Sequence, residues 1–129
     1  QHVLEPLAGY IELAEMLLDD TATAVDRAWN FGPDAESDVS VGTLAKLAAE
    51  TWGEPALVIV EPQADRLHEA GTLRLDSTLA RTALGWTPRW RLRTAVARTV
   101  EWYKAWLAGA DMRAVTLAQI EAYDREIPA

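Results

Sequence analysis

The residue types best suited to meeting a polar ligand stand in two places. His68 and Glu69 are neighbours in a polar stretch before a short apolar run, with Arg66 two positions earlier. Loops of this kind often carry ligand contacts, and an arginine fork can meet a phosphate. Asn30, between Trp29 and Phe31, can donate and accept hydrogen bonds toward a small polar ligand. Each has a plainer reading beside the functional one: an exposed loop pair, a solvated arginine and a turn-stabilising asparagine. The six tryptophans suggest aromatic clamps. The helical spacing of Trp102 and Trp106 suits core or covered surface better.

Several chemistries are excluded by motif. The glycines at 9, 32, 42, 53, 71, 85 and 109 stand singly, so neither a dinucleotide fingerprint nor a phosphate loop can be built from them. There is no Gly-x-Ser-x-Gly elbow, and His68-Glu69 lacks the second histidine of a zinc-protease helix. The absence of cysteine rules out disulfides, thiolate nucleophiles and cysteine-held metals. Two histidines, His2 and His68, are too few for a histidine-rich metal site.

At 129 residues the chain suits one domain with a small core, and half its residues are hydrophobic, which argues against disorder. A net charge of −8 speaks against nucleic acid or an anionic membrane as partner. The acidic residues, Glu5 and Glu12 among them, crowd the first third, whereas Arg81, Arg89, Arg91, Arg93 and Arg98 cluster later. Solvated helix faces account for this more simply than an anion site does. No apolar run reaches the length of a membrane span and no signal peptide is visible, so a cytoplasmic setting is expected. The chain opens on Gln1 rather than Met, at the approach to a helix, which suggests a fragment.

These residues must be positioned by surrounding elements. Leu4, Leu7, Ile11, Ala14 and Leu18 predict a first helix with Pro6 in its opening turn. Tyr10, Leu13, Met16 and Leu17 widen its stripe until it suits a place between two layers. "RAWNFGP" (27–33), "ALVIV" (56–60) and "TLRL" (72–75) read as short strands. Ser40 caps a helix over 41–52 that stops at Gly53, and Asp76 caps one over 77–84 that stops at Gly85. A longer helix ends near Gly109, and Thr116 with Gln119 suggests a capping box for the last one. The expected class is therefore α+β: a mostly helical small domain with two or three short strands and no internal repeat.

Taken together, "QHVLEPLAGY", "NFGP", "VSV", "HEAGTLRLDSTLARTALGWTPRW", "TVEWY" and "TLAQIEAYD" resemble the C-terminal part of the CDP-glucose 4,6-dehydratase family. That family lies in the extended short-chain dehydrogenase/reductase superfamily. The Leu-Gly-Trp-x-Pro element supports only the superfamily, while the opening motif and the His68-to-Ser77 spacing are similar to the CDP-glucose branch.

The resemblance implies that residues 1–129 are a C-terminal nucleotide-sugar-binding domain, closing over substrate held with an NAD-binding Rossmann domain that this chain lacks. In the family, NAD takes hydride from sugar C4, water leaves from C6, and hydride returns to C6. The product is CDP-4-keto-6-deoxyglucose. By resemblance Gln1, His2, Asn30, Arg66, His68 and Glu69 lie on the substrate side. No catalytic, cofactor-binding or metal-binding residue is implied here, because the Tyr-x-x-x-Lys pair and the Rossmann fingerprint are missing. The Arg-Pro-Trp run that precedes the opening motif in relatives is also missing, and Thr43 stands where relatives often place Glu. A related epimerase or dehydratase using another nucleotide, or a non-catalytic helical interaction module, are the competing readings.

Overall fold

A computed structural model describes residues 1–18, 27–60 and 74–126. Four helices carry the architecture: α1 (Leu4–Leu18), α2 (Val41–Trp52), α3 (Leu92–Leu107) and α4 (Met112–Arg125). A single 3-10 turn, Ala35–Ser37, precedes α2, and a π-helical turn, Ala80–Leu84, lies between α2 and α3.

Sequence chemistry explains most of the boundaries. Pro6 sits in the first turn of α1, where its missing amide would have had no intrahelical partner. Ser40 Oγ accepts the Thr43 amide at 3.1 Å and its hydroxyl pairs with that of Thr43. Thr43 thus gives Ser40 a hydroxyl partner without the glutamate common in relatives. Gly53 ends α2 at φ 82°, a left-handed value that favours glycine. Asp76 Oδ1 accepts the Thr78 amide at 2.9 Å, and these bonds to Thr78 hold its carboxyl below the ordinary value. The turn that follows closes around Gly85 (φ 73°) with the Trp86 amide donating to the Ala80 carbonyl.

The start of α4 differs from expectation. Asp111, not Thr116, is its cap, accepting the amides of Arg113 and Ala114. Thr116 and Gln119 lie inside the helix and reach across to α3. Thr116 Oγ1 accepts the Trp102 indole at 3.0 Å, and Gln119 Nε2 donates to the Arg98 carbonyl at 2.7 Å. These pairings run in opposite numerical order, so α3 and α4 form an antiparallel hairpin around Gly109.

The α+β expectation is overturned, since the described residues contain helices and no strand. Residues 27–33 and 56–60 are strand-like in composition but lie beside no strand that could pair with them. Around Phe31 the backbone is satisfied by side chains instead of a ladder. Gln1 Nε2 donates to the Phe31 carbonyl at 2.8 Å, and the Gly32 amide donates to Ser77 Oγ at 2.7 Å. Of the third expected strand, residues 72 and 73 lie outside the described residues, and Arg74 and Leu75 form no strand.

Packing follows from this layout. Phe31, Ala80 and Trp86 form one core cluster, flanked by Leu13, Trp29 and Leu84. Helix α1 packs on the π-helical turn, α2 on α3, and α3 on α4. Gly9 is a tight point, for a Cβ there would overlap the Phe31 ring. The opposite side of α1 keeps Leu7, Tyr10, Ile11, Leu17 and Leu18 exposed, so its broad stripe is covered on one side. Among the described residues, no helix is long and apolar enough to cross a membrane.

Candidate functional site

The first turn of α1 begins with a carboxylate in the interior. Glu5 is 0% exposed, although its neighbours in sequence are proline and leucine. A buried carboxylate is tolerable only with a full set of donors. Glu5 Oε1 accepts the Trp90 amide at 2.6 Å, and Oε2 accepts the Arg89 amide at 3.0 Å and the Tyr123 hydroxyl at 2.7 Å. Its backbone carbonyl takes the Trp86 indole at 3.1 Å. The Trp-Thr-Pro-Arg-Trp run therefore wraps around Glu5, with Pro88 holding the turn that points two consecutive amides at it.

Tyr123 completes the enclosure from α4. Burial, reinforced by its bond to Glu5, pushes its phenol well above the usual tyrosine value, so it remains a donor. Arg89 lies over the Tyr123 ring at 4.7 Å and bonds the Tyr123 carbonyl at 3.3 Å. Trp90 stacks edge-on against Tyr123 at 5.1 Å on one side and against His2 at 4.8 Å on another.

His2 is 6% exposed. Its Nδ1 accepts the Leu4 amide at 3.3 Å, leaving the proton of the neutral ring on Nε2. Burial lowers its pKa, and Arg98 lowers it further. Together with Gln1, it lines a cavity of about 420 Å³ whose far wall is Trp102, Tyr103 and Thr116.

The candidate residues predicted from sequence divide accordingly. Gln1 and Asn30 are bound to different stretches: Gln1 bonds the Phe31 carbonyl, and Asn30 Nδ2 donates to the Asp76 carbonyl at 3.2 Å. Each amide is fixed by one bond and keeps further donor and acceptor capacity. His2 belongs to the Trp90 cluster. Arg66, His68 and Glu69 lie outside the described residues.

The later arginines are engaged with acidic residues. Arg81 pairs with Asp34 at 2.8 Å, Arg91 with Glu36 at 3.2 Å, and Arg74 with Asp38. Two arginines of the later cluster, Arg81 and Arg91, thus pair with the acidic loop at 34–38, while Arg89 faces Asp124 and Arg98 faces Glu101. Glu5 departs from the solvated-face reading of the acidic third. No local sequence signal marks it, because its partners Arg89, Trp90 and Tyr123 are remote in the chain. Among the described residues no group of three or more His, Asp or Glu side chains could hold a metal ion.

Comparison with known proteins points to the nucleotide-sugar dehydratases. The relative found is CDP-glucose 4,6-dehydratase of Salmonella typhimurium (strain LT2), 39% identical over 123 residues. The match covers 95% of this chain and 34% of the relative, so the chain spans about a third of that enzyme's length. The resemblance carried by the sequence motifs is borne out over nearly the whole chain. No family model matches.

Proposed function

We propose that this chain is the substrate-binding portion of an NAD-dependent sugar-nucleotide 4,6-dehydratase that converts CDP-glucose to CDP-4-keto-6-deoxyglucose. The observation that carries this reading is the 39% identity to CDP-glucose 4,6-dehydratase across 123 residues. A cavity of about 420 Å³ lined by Gln1 and His2, a size that small ligands occupy, supports it. In this reading Gln1, His2 and Asn30 serve the substrate side together with Arg66, His68 and Glu69.

In this reading NAD is held by a Rossmann domain of the parent enzyme. The exposed face of α1 (Leu7, Tyr10, Ile11) is apolar surface suited to contact with that domain.

The division of labour has a direct assay. The 129-residue chain alone is expected to give no turnover of CDP-glucose, and the parent enzyme with NAD is expected to dehydrate it. Efficient dehydration by the chain alone would overturn the proposal.

A further inference from the structure

We propose that Glu5 and Tyr123 are positioning residues that hold the Gln1–His2 end of α1 in its binding geometry, with Trp90 as the link. Tyr123, unlike Thr116 and Gln119 of the same helix, would then serve the site without lining the cavity. This inference rests on the reading that Gln1 and His2 face substrate.

The contacts form a closed circuit. The Glu5 amide donates to the His2 carbonyl at 3.1 Å, and the Leu4 amide donates to His2 Nδ1. The His2 ring meets the edge of Trp90, and the Trp90 amide returns to the Glu5 carboxylate. Tyr123 closes the circuit from outside by bonding Glu5 Oε2 while its ring supports Trp90.

Burial points the same way. Four polar side chains are buried among the described residues: His2, Glu5, Ser77 and Gln119. Three of them surround this region, since Gln119 lines the cavity with His2 and bonds the backbone of Arg98, whose guanidinium lies over Trp90 at 5.5 Å. Apolar packing tolerates small slides. Directional hydrogen bonds that engage both oxygens of the buried Glu5 carboxylate do not, while the Trp90 indole N–H is the one buried side-chain polar atom among the described residues without a partner. Tyr123 lies 118 residues from Glu5, so local sequence around Gln1 could not supply this restraint.

The test is Tyr123→Phe, which removes one hydrogen bond and keeps the ring against Trp90. In this chain, the imidazole signals of His2 and the amide signal of Leu4 shift in NMR spectra. In the parent enzyme, KM for CDP-glucose rises about threefold or more while kcat stays near its original value. Glu5→Gln gives the same pattern more strongly. Unmoved His2 signals in both folded variants would overturn the inference, as would an unchanged KM in an active parent. A parent that does not act on CDP-glucose would refute the proposed function, while the His2 signals would still decide whether the restraint exists.

Discussion

The Tyr123 hydroxyl reaches Glu5 Oε2 at 2.7 Å and ties the last helix to the first across nearly the whole chain. This contact makes one buried carboxylate the meeting point of α1, α4 and the Trp-Thr-Pro-Arg-Trp turn. Two of its three donors are backbone amides, which no substitution elsewhere can remove.

Glu5→Ala is therefore expected to be severe. It strands the amides of Arg89 and Trp90 and the Tyr123 hydroxyl in the interior. At about 1–3 kcal/mol per stranded donor, the loss is at least about 3 kcal/mol. Glu5→Gln keeps one acceptor oxygen and costs less, about 2 kcal/mol. Urea unfolding at constant m-value measures both. A change within about 0.5 kcal/mol for Glu5→Ala, the range of ordinary surface substitutions, would show that the carboxylate is not enclosed as described.

Gly9→Ala separates packing from helix propensity. Propensity alone favours alanine over glycine inside a helix by about 1 kcal/mol. The Phe31 ring occupies the space a Cβ would need, so the expected result is destabilisation of about 1–3 kcal/mol. Thermal or urea unfolding distinguishes the two, because a more stable variant would mean that Phe31 does not lie over Gly9.

His2 makes stability depend on pH. Burial, then the nearby Arg98 charge, holds its folded pKa below the ordinary 6.5. The unfolded chain therefore binds a proton more readily than the folded one. Its contribution is fully present above the unfolded pKa of 6.5 and is lost progressively as pH falls below it. His2→Asn retains a polar side chain and does not titrate. Its unfolding midpoint should fall less than that of the original chain between about pH 7.5 and about pH 5.5. Parallel curves for the two proteins would contradict this assignment.

Much of the helical scaffold was legible because its signals are local. Ser40, Asp76 and Gly85 act through neighbours a few positions away, and their roles follow from backbone chemistry. The strands at 27–33 and 56–60 were misread because β-branched composition describes a residue's suitability for pairing, and pairing needs a second strand. Thr116 and Gln119 have capping-box spacing but lie within α4, whose first amides Asp111 satisfies one turn earlier. Glu5 was hidden in a run of acidic residues, and its partners lie more than 80 positions away. At the candidate site, sequence brought forward Gln1, whose amide the fold sets on the Phe31 carbonyl, and Asn30, whose amide it sets on the Asp76 carbonyl. Sequence motifs alone carry Arg66, His68 and Glu69, since they lie outside the described residues.

The central claim concerns which nucleotide sugar this domain helps to bind, and isothermal titration of the intact parent enzyme addresses it most directly. CDP-glucose and dTDP-glucose should be titrated side by side in the presence of NAD. The account predicts tighter binding of CDP-glucose, with the difference reduced when Asn30 is replaced by alanine. Preference for dTDP-glucose, or no binding of either compound, would contradict it.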